Sequence, residues 1–388
     1  MLNNKLIAAI VFCIIGLQAH GQFNIGQVTV TYTDSSRNNR SIPTEIYYPA
    51  DVQGTNVPLT TSVADSFPVL VFGHGFVMAW SAYANVWEYV VPSGYIIAFP
   101  KTETGLSPNH STFANDIAFI VSQLQAEALN PNSIFYNRVA LTSAAMGHSM
   151  GGGSSLLAYS FNPSITAIAN LAPAETNPSA ISACAGISIP TLIISGENDC
   201  VTPPATNQIP MYNALTSPCK TYVEIKGGDH CKMANGNFFC ELGQSSCQPQ
   251  ATISDSTQHV IMERYLLPWL DFYLKNNCTA GAWFDSTIIA DNEINFQKSC
   301  TLCSNPQGIS TNGNIPFQFF TEGNTWHVKS NNKQPCNVVV SDLTGRVLFK
   351  QVFVGQIDQS ITDYATGLYL ISISNQTISR SYKFLINR

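Results

Sequence analysis

A nine-residue run, Ala145-Met146-Gly147-His148-Ser149-Met150-Gly151-Gly152-Gly153, leaves this chain little choice of architecture. A serine with a glycine two places to either side fits a strained turn between the end of a strand and the start of a helix. Such a turn needs small residues at 147 and 151, because Cβ atoms there meet the neighbouring strand and helix. The flanks agree. Arg138 to Met146 reads as a strand, and Ser154 to Tyr159 as the opening of a helix. Ser149 is then raised above a sheet as a nucleophile. The pattern also arises by chance as a glycine-rich turn with an idle serine, so its meaning depends on partners elsewhere in the chain.

The surrounding segments predict the sheet. Pro68 to Phe72, Gly94 to Pro100, Ile165 to Leu171, Pro190 to Ser195 and Thr221 to Ile225 are short, continuous apolar runs. Runs of this kind suit strands buried on both faces. Helical spacing appears over 82–91, stopped by Pro92, and over 113–128 with Ile117, Phe119, Ile120, Leu124 and the following Leu129. Gln258 to Leu274 is an amphipathic helix that Pro268 is expected to interrupt. Residues 22–50 read as an antiparallel hairpin turning at Asp34 to Asn39, and 51–67 as a polar loop. Strands alternating with helices define an α/β class, a mostly parallel sheet covered on both faces. No long insertion that would form a lid is evident between strands, so an open cleft is expected.

Export is written at the N-terminus. Lys5 followed by the apolar run Leu6 to Leu17 and the small residues near Ala19 and Gly21 makes 1–21 a signal peptide, with a mature start at Gln22. The apolar core is too short to span a bilayer comfortably. Ten of the eleven cysteines remain after its removal, an even number that in an exported chain implies disulfides. Zinc is a poor reading, since paired C-x-x-C units and H-x-x-x-H are missing. The formal charge of −6 argues against nucleic acid as a partner. A first domain is expected over 22–303. An Asn/Gly/Ser-rich linker follows over 304–314, and a small β-sandwich over 315–388, whose segments show strand patterning and no helical period.

Acyl transfer by serine requires a base, an acid to orient it, and N–H donors for the oxyanion. In an open parallel sheet these groups collect in loops after the strand ends. Of seven histidines, His20 lies in the signal, His259 within a helix and His327 in the small domain. His74 and His148 belong to strand-end turns, and His110 is a weaker loop candidate. His230 follows the last strand and completes the order Ser, Asp, His. Asp199, after the run 191–195, is the acid, with Glu197 and Asp229 as competitors in the same loops. The backbone N–H groups of Phe76 and Met150 are the expected oxyanion donors, with their side chains facing the acyl group or simply packing in the core. No cofactor or metal is called for, and a monomer is expected.

These pieces carry a resemblance. Gly73-His74-Gly75-Phe76, Gly147 to Gly153, Glu197-Asn198-Asp199 and Glu224-Ile225-Lys226-Gly227-Gly228-Asp229-His230 together resemble the bacterial polyesterase–cutinase group of α/β-hydrolases, which includes enzymes that hydrolyse polyethylene terephthalate. The resemblance spans about residues 25 to 300. It implies an α/β-hydrolase fold and a secreted serine esterase of polyester or of short-to-medium acyl esters. Ser149 is then nucleophile, Asp199 acid, His230 base, and Phe76 and Met150 the oxyanion and aromatic-clamp residues. It also implies a disulfide near the end of the hydrolase domain, matched by Cys278 and Cys300. By alignment Asn177 stands where the best-known polyester-degrading members carry a tryptophan, removing a flat stacking ring. Some members bridge the acid and base loops with cysteines, so Cys200–Cys231 is the expected pair here. A general lipase or short-chain esterase is the alternative within hydrolases, and a non-catalytic surface adhesin the alternative outside them.

The tail resembles the C-terminal sorting domain of the type IX secretion system of Bacteroidetes. The matching pieces are Val338 to Val347, Gly367-Leu368-Tyr369-Leu370-Ile371 and Lys383 to Arg388. That resemblance implies the secretion machinery as a partner, and delivery to the outer-membrane surface or medium. A carbohydrate- or polymer-binding sandwich is the competing reading.

Overall fold

The computed structural model describes residues 23–63, 66–303 and, in the C-terminal region, 317–322, 325–330, 335–342, 346–362, 364–374 and 379–386. The expected signal peptide (1–21) and linker (304–314) lie outside the described residues. The chain divides into two compact units, Met1–Asn305 and Pro306–Arg388.

The first unit opens with a hairpin of β1 (Asn24–Asp34) and β2 (Arg40–Ala50), joined through Asn38 and Asn39 at φ 55° and 54°. Asparagine tolerates that left-handed turn better than most residues. A short β3 (Gly54–Thr55) is followed by β4 (Phe67–Gly73), α1 (Ala84–Val90), β5 (Ile96–Pro100), α2 (His110–Glu127), β6 (Val139–His148) and α3 (Met150–Phe161). Then come β7 (Ala167–Leu171), α4 (Ala180–Cys184), β8 (Thr191–Gly196), α5 (Gln208–Ala214) and β9 (Lys220–Ile225). The unit closes with α6 (Phe238–Gln244), α7 (Asp255–Lys275), α8 (Cys278–Ala290) and β10 (Ile294–Lys298).

These strands form one sheet in the order β10-β9-β8-β7-β6-β4-β5-β2-β1-β3. The six from β4 to β9 run parallel, each to its neighbours among them. The chain leaves β4 towards β5 on one side, then crosses back to β6 on the other. β4 and β6 are therefore adjacent strands at a switch point, where a crevice opens beyond their carboxyl ends.

The continuous apolar strands divide with period two. Leu70 and Phe72 of β4 pack with Val86 and Trp87 of α1 and with Tyr265 and Trp269 of α7. Val69 and Val71 face the other layer, with Phe113 and Ile117 of α2 and Leu156 of α3. Helix α7 runs unbroken from Asp255 to Lys275, with Pro268 inside it, contrary to the expected interruption. Tyr265, Leu266, Trp269 and Leu270 are all buried around that proline, and their packing offsets its missing hydrogen bond. Leu129, read as part of an apolar stripe, lies beyond α2 and is 80% exposed.

Among the described residues four disulfides join Cys200–Cys247, Cys219–Cys300, Cys231–Cys240 and Cys278–Cys303, and Cys184 and Cys336 are buried thiols. The Cys278–Cys300 pairing is thus corrected. The reason lies in β10, which reads as no particular element in the sequence. It pairs antiparallel with β9, Lys298 opposite Thr221. Continuing that register two residues places Cys300 opposite Cys219, with Cα atoms 5.1 Å apart. The bond closes 81 residues of chain. Replacing both cysteines by serine is expected to lower stability by about 4 kcal/mol from loop-closure entropy, read as a lower denaturant midpoint.

The second unit is all strand: β11 (Phe317–Glu322), β12 (Thr325–Ser330), β13 (Cys336–Asp342), β14 (Val347–Phe353), β15 (Gln356–Ser360), β16 (Gly367–Ser374) and β17 (Ser379–Ile386). They make a three-stranded sheet, β11-β12-β15, and a four-stranded sheet, β14-β13-β16-β17. Trp326, Val328 and Ile357 of the first pack with Val338, Val340, Ile371 and Ile373 of the second, which is a small sandwich.

Candidate active site

Ser149 stands between the last residue of β6 and the first of α3, at φ 55° and ψ −121°. Its neighbours hold it there. Its N–H donates to Leu171 O at 3.1 Å, and its carbonyl accepts from Gly153 N at 3.0 Å and Ala174 N at 2.9 Å. Two glycines are required by contact. A Cβ on Gly147 would lie 2.3 Å from the carbonyl carbon of Gly151, and one on Gly151 would lie 2.1 Å from Gly73 O. The turn is therefore pressed against the loop that leaves β4, the other side of the crevice.

Asp199 and His230 meet in the same place, from the loops after β8 and β9. Asp199 Oδ2 lies 2.7 Å from His230 Nδ1, and both residues are buried. The acid is held firmly, with Oδ1 accepting from Val201 N at 2.9 Å and Thr202 N at 2.7 Å. A carboxylate gripped by two backbone donors keeps its aim. The imidazole's side-chain hydrogen bonds are those of Nδ1. Among the described residues none joins Nε2 to Ser149 Oγ, a contact that catalytic serines commonly tighten only with substrate bound. Glu197 accepts from Gly227 N, and Asp229 accepts from Lys232 N and pairs with its ammonium. Neither competitor reaches the imidazole.

A buried relay locks the three loops together. Gly75 N donates to Tyr83 Oη at 2.7 Å, and that hydroxyl faces His148 Nδ1 at 3.1 Å. His148 Nε2 faces His230 O at 3.2 Å, and the two rings lie 4.6 Å apart. Burial holds the His148 ring well below its usual pKa, so it is neutral. A carbonyl partner fixes its proton on Nε2, leaving Nδ1 to accept from Tyr83. Residues 75, 148 and 230 are thereby tied in one line of hydrogen bonds.

The expected Cys200–Cys231 bridge is also corrected. Cys200 pairs with Cys247 and Cys231 with Cys240, so the loops that carry Asp199 and His230 are each stapled to one segment around α6. The chain curls tightly around the Asp199 carboxylate, and Cys200 is turned to the exposed side. Cys231 begins a short 3-10 turn that leads away from His230. Gln244, at the end of α6, accepts from His230 N at 3.3 Å and donates to Asn198 O at 3.4 Å. The segment 231–254, between β9 and α7, thus backs both loops.

The remaining expected residues fall as follows. Phe76 is half exposed at a turn closed by Met78 N on Gly75 O, while Met150 is 3% exposed and packs in the α2–α3 layer. As the first residue of α3, Met150 presents an N–H with no acceptor inside the helix. His74 is buried between Gly75 O and Thr102 O, with its pKa lowered by desolvation. His259 bonds Ala234 O, and His327 bonds Asp358 in the second unit. Asn177 is exposed, and its backbone N–H donates to His110 Nδ1 at 3.1 Å. Ala174, three residues earlier, is the member of that loop bonded to Ser149. Thr202, Gln208 and Gln244 went unnoticed as site residues. Only the spacing of Thr202 from Asp199, suited to a side-chain turn, pointed to one of them.

A strained serine at a strand-to-helix elbow, a His–Asp pair in the following strand-end loops and this sheet order define an α/β-hydrolase fold. Residues 18–248 match the model of the PET hydrolase-like family, more than half of the chain, and the chain belongs to that family. Residues 323–387 match the model of the secretion system C-terminal sorting domain. Cutinase est2 of Thermobifida alba is 30% identical over 168 residues, 43% of this chain and 53% of that protein. Cutinase 1 of Thermobifida cellulosilytica is 41% identical over 88 residues, 22% of this chain and 32% of that protein. Bis(hydroxyethyl) terephthalate hydrolase of Streptomyces coelicolor is 24% identical over 234 residues, 60% of this chain and 62% of that protein. The chain thus spans about half the length of the first of these curated relatives. The sorting domain and the cutinase relatives mark a secreted or cell-surface protein.

Proposed function

We propose that this protein is a serine hydrolase of carboxylic esters, with polyesters such as polyethylene terephthalate among its substrates. Ser149 attacks the ester carbonyl, and His230 takes its proton and returns it to the leaving alcohol. Asp199 holds the imidazole and stabilises its charged form, and water resolves the acyl-enzyme. The N–H groups of Met150 and Phe76 receive the oxyanion. The observation that carries this reading is the buried 2.7 Å contact of Asp199 with His230, beside a serine at φ 55°. Family membership supports the ester, and relatives named for cutinase and terephthalate ester activity support the polymer. The 315–388 domain is proposed to carry the enzyme through the type IX secretion machinery, with 22–303 as catalytic domain and 304–314 as linker.

A short-chain esterase with little polymer activity is favoured by one feature. The loop 172–178 offers Ala174, Glu175 and Asn177 beside the elbow and no aromatic ring. The two readings part in one assay, with full-length protein incubated with p-nitrophenyl butyrate and with amorphous polyethylene terephthalate film. Terephthalate release from film above a Ser149→Ala control supports the polyester. Turnover of the soluble ester with no release leaves the short-chain esterase.

A further inference from the structure

Thr202 takes no part in the chemistry above, yet its hydroxyl lies where the two catalytic loops touch. Oγ1 is 2.8 Å from Asp199 Oδ2, 3.0 Å from His230 Nδ1, 3.1 Å from Gln208 Nε2 and 3.3 Å from Ala172 O. A hydroxyl has one proton and two lone pairs. The proton goes to the nearer and charged acceptor, the Asp199 carboxylate, rather than to the Ala172 carbonyl. The two lone pairs then face Gln208 Nε2–H and His230 Nδ1–H. Each direction is used, and each use implies the next.

We propose that Thr202 is a positioning residue for the reaction of Ser149, with Gln208 as its support. The inference rests on the serine-esterase reading. With its own proton committed to Asp199, Thr202 can only accept from His230. Nδ1 must therefore carry a proton, and Nε2 is left with the lone pair that a general base needs. When the imidazole takes the serine proton, its positive charge finds Asp199 Oδ2 and Thr202 Oγ1 already in place. Oxygens that need not move as charge develops favour the transition state over the ground state.

Gln208 shows that the arrangement is kept for more than stability. It is fully buried, and Nε2 also donates to Pro173 O at 2.7 Å. Its Oε1 has no hydrogen-bond partner among the described residues. The amide orientation follows from Pro173, whose carbonyl can only accept. A lone buried acceptor destabilises a fold, and an apolar side chain of the same length would avoid it. What the glutamine supplies is the donor to Thr202. Pro173 precedes Ala174, whose N–H binds Ser149 O at 2.9 Å. Gln208 and Thr202 therefore join the loop of the nucleophile to the loops of the acid and the base.

The test separates kcat from KM on p-nitrophenyl butyrate, using the full-length protein with melting temperatures recorded. Thr202→Val keeps the shape and removes the hydroxyl. It is expected to lower kcat about thirtyfold with KM within about twofold, since a hydrogen bond to a charged group is lost. Thr202→Ser is expected to recover kcat to within about threefold. Gln208→Met is expected to lower kcat about fivefold while the melting temperature holds or rises, a combination that a purely structural glutamine would not produce. Wild-type kcat in Thr202→Val, beside an inactive Ser149→Ala, overturns this inference and leaves the esterase reading standing. If Thr202→Val does not fold, unchanged kcat in Gln208→Met overturns it equally. Wild-type turnover in Ser149→Ala overturns both.

Discussion

Ser149→Ala is expected to lower kcat on a soluble ester by about a millionfold, leaving the melting temperature within a degree or two of wild type. On the proposed mechanism Ser149 alone forms the acyl intermediate, and removing a triad nucleophile has that scale of effect. Alanine and serine share the same backbone cost at φ 55°, so the fold barely notices the change. Glycine should notice it. Ser149→Gly is expected to be equally inactive but more stable than Ser149→Ala by about 1 kcal/mol, because glycine occupies that conformation without strain. The pair is read by stopped-assay kinetics and by denaturant unfolding. A Ser149→Ala protein retaining a tenth or so of wild-type turnover would remove the mechanism, since the oxyanion donors alone do not sustain such a rate. Equal stability of the two variants would show that the elbow is not strained.

Gly151→Ala tests the geometry from the other side of the crevice. The new methyl would lie 2.1 Å from Gly73 O and 2.6 Å from His74 O, and both are backbone atoms that cannot swing aside. Either the elbow or the loop carrying Phe76 must shift. A displacement of about an ångström at reacting groups costs on the order of a hundredfold, and losing an oxyanion donor costs a hundred- to a thousandfold. The expected result is a fall in kcat/KM of roughly a thousandfold or more, with about 2–3 kcal/mol of stability lost to overpacking. Near-normal activity and stability in this variant would mean that the β4 loop and the elbow do not meet as closely as described.

The two variants fail for different reasons, which makes them useful together. Ser149→Ala removes chemistry from an intact frame. Gly151→Ala keeps every reacting group and moves the frame. The relay from Gly75 through Tyr83 and His148 to His230 explains why such a shift would spread beyond the oxyanion loop.

Several elements are legible from residue order alone, and for a common reason. β4, β5 and β8 are short apolar runs because both of their faces are covered, and that pattern is local. The elbow is legible because backbone contact at 147 and 151 admits only glycine. Asp199 and His230 are findable because parallel strands deliver their following loops to one edge of the sheet. Local reading fails where a segment's role depends on what lies across from it. β10 has no clear pattern of its own, and it exists as a strand by pairing with β9. α6 exposes Phe238, Phe239 and Leu242 and has little amphipathic character to announce it; one disulfide from Cys240 within it and one from Cys247 just beyond it hold it.

Residue order by itself therefore determined the sheet class, the turn that lifts Ser149 and the succession of serine, aspartate and histidine, since each follows from local patterning and from the rule that parallel strands end at one edge. Tertiary structure alone decided which cysteine meets which, and that Thr202 meets both Asp199 and His230 with Gln208 behind it. Those outcomes depend on register between strands and on where loops separated by tens of residues come to rest. Neither quantity is encoded in any short window of sequence.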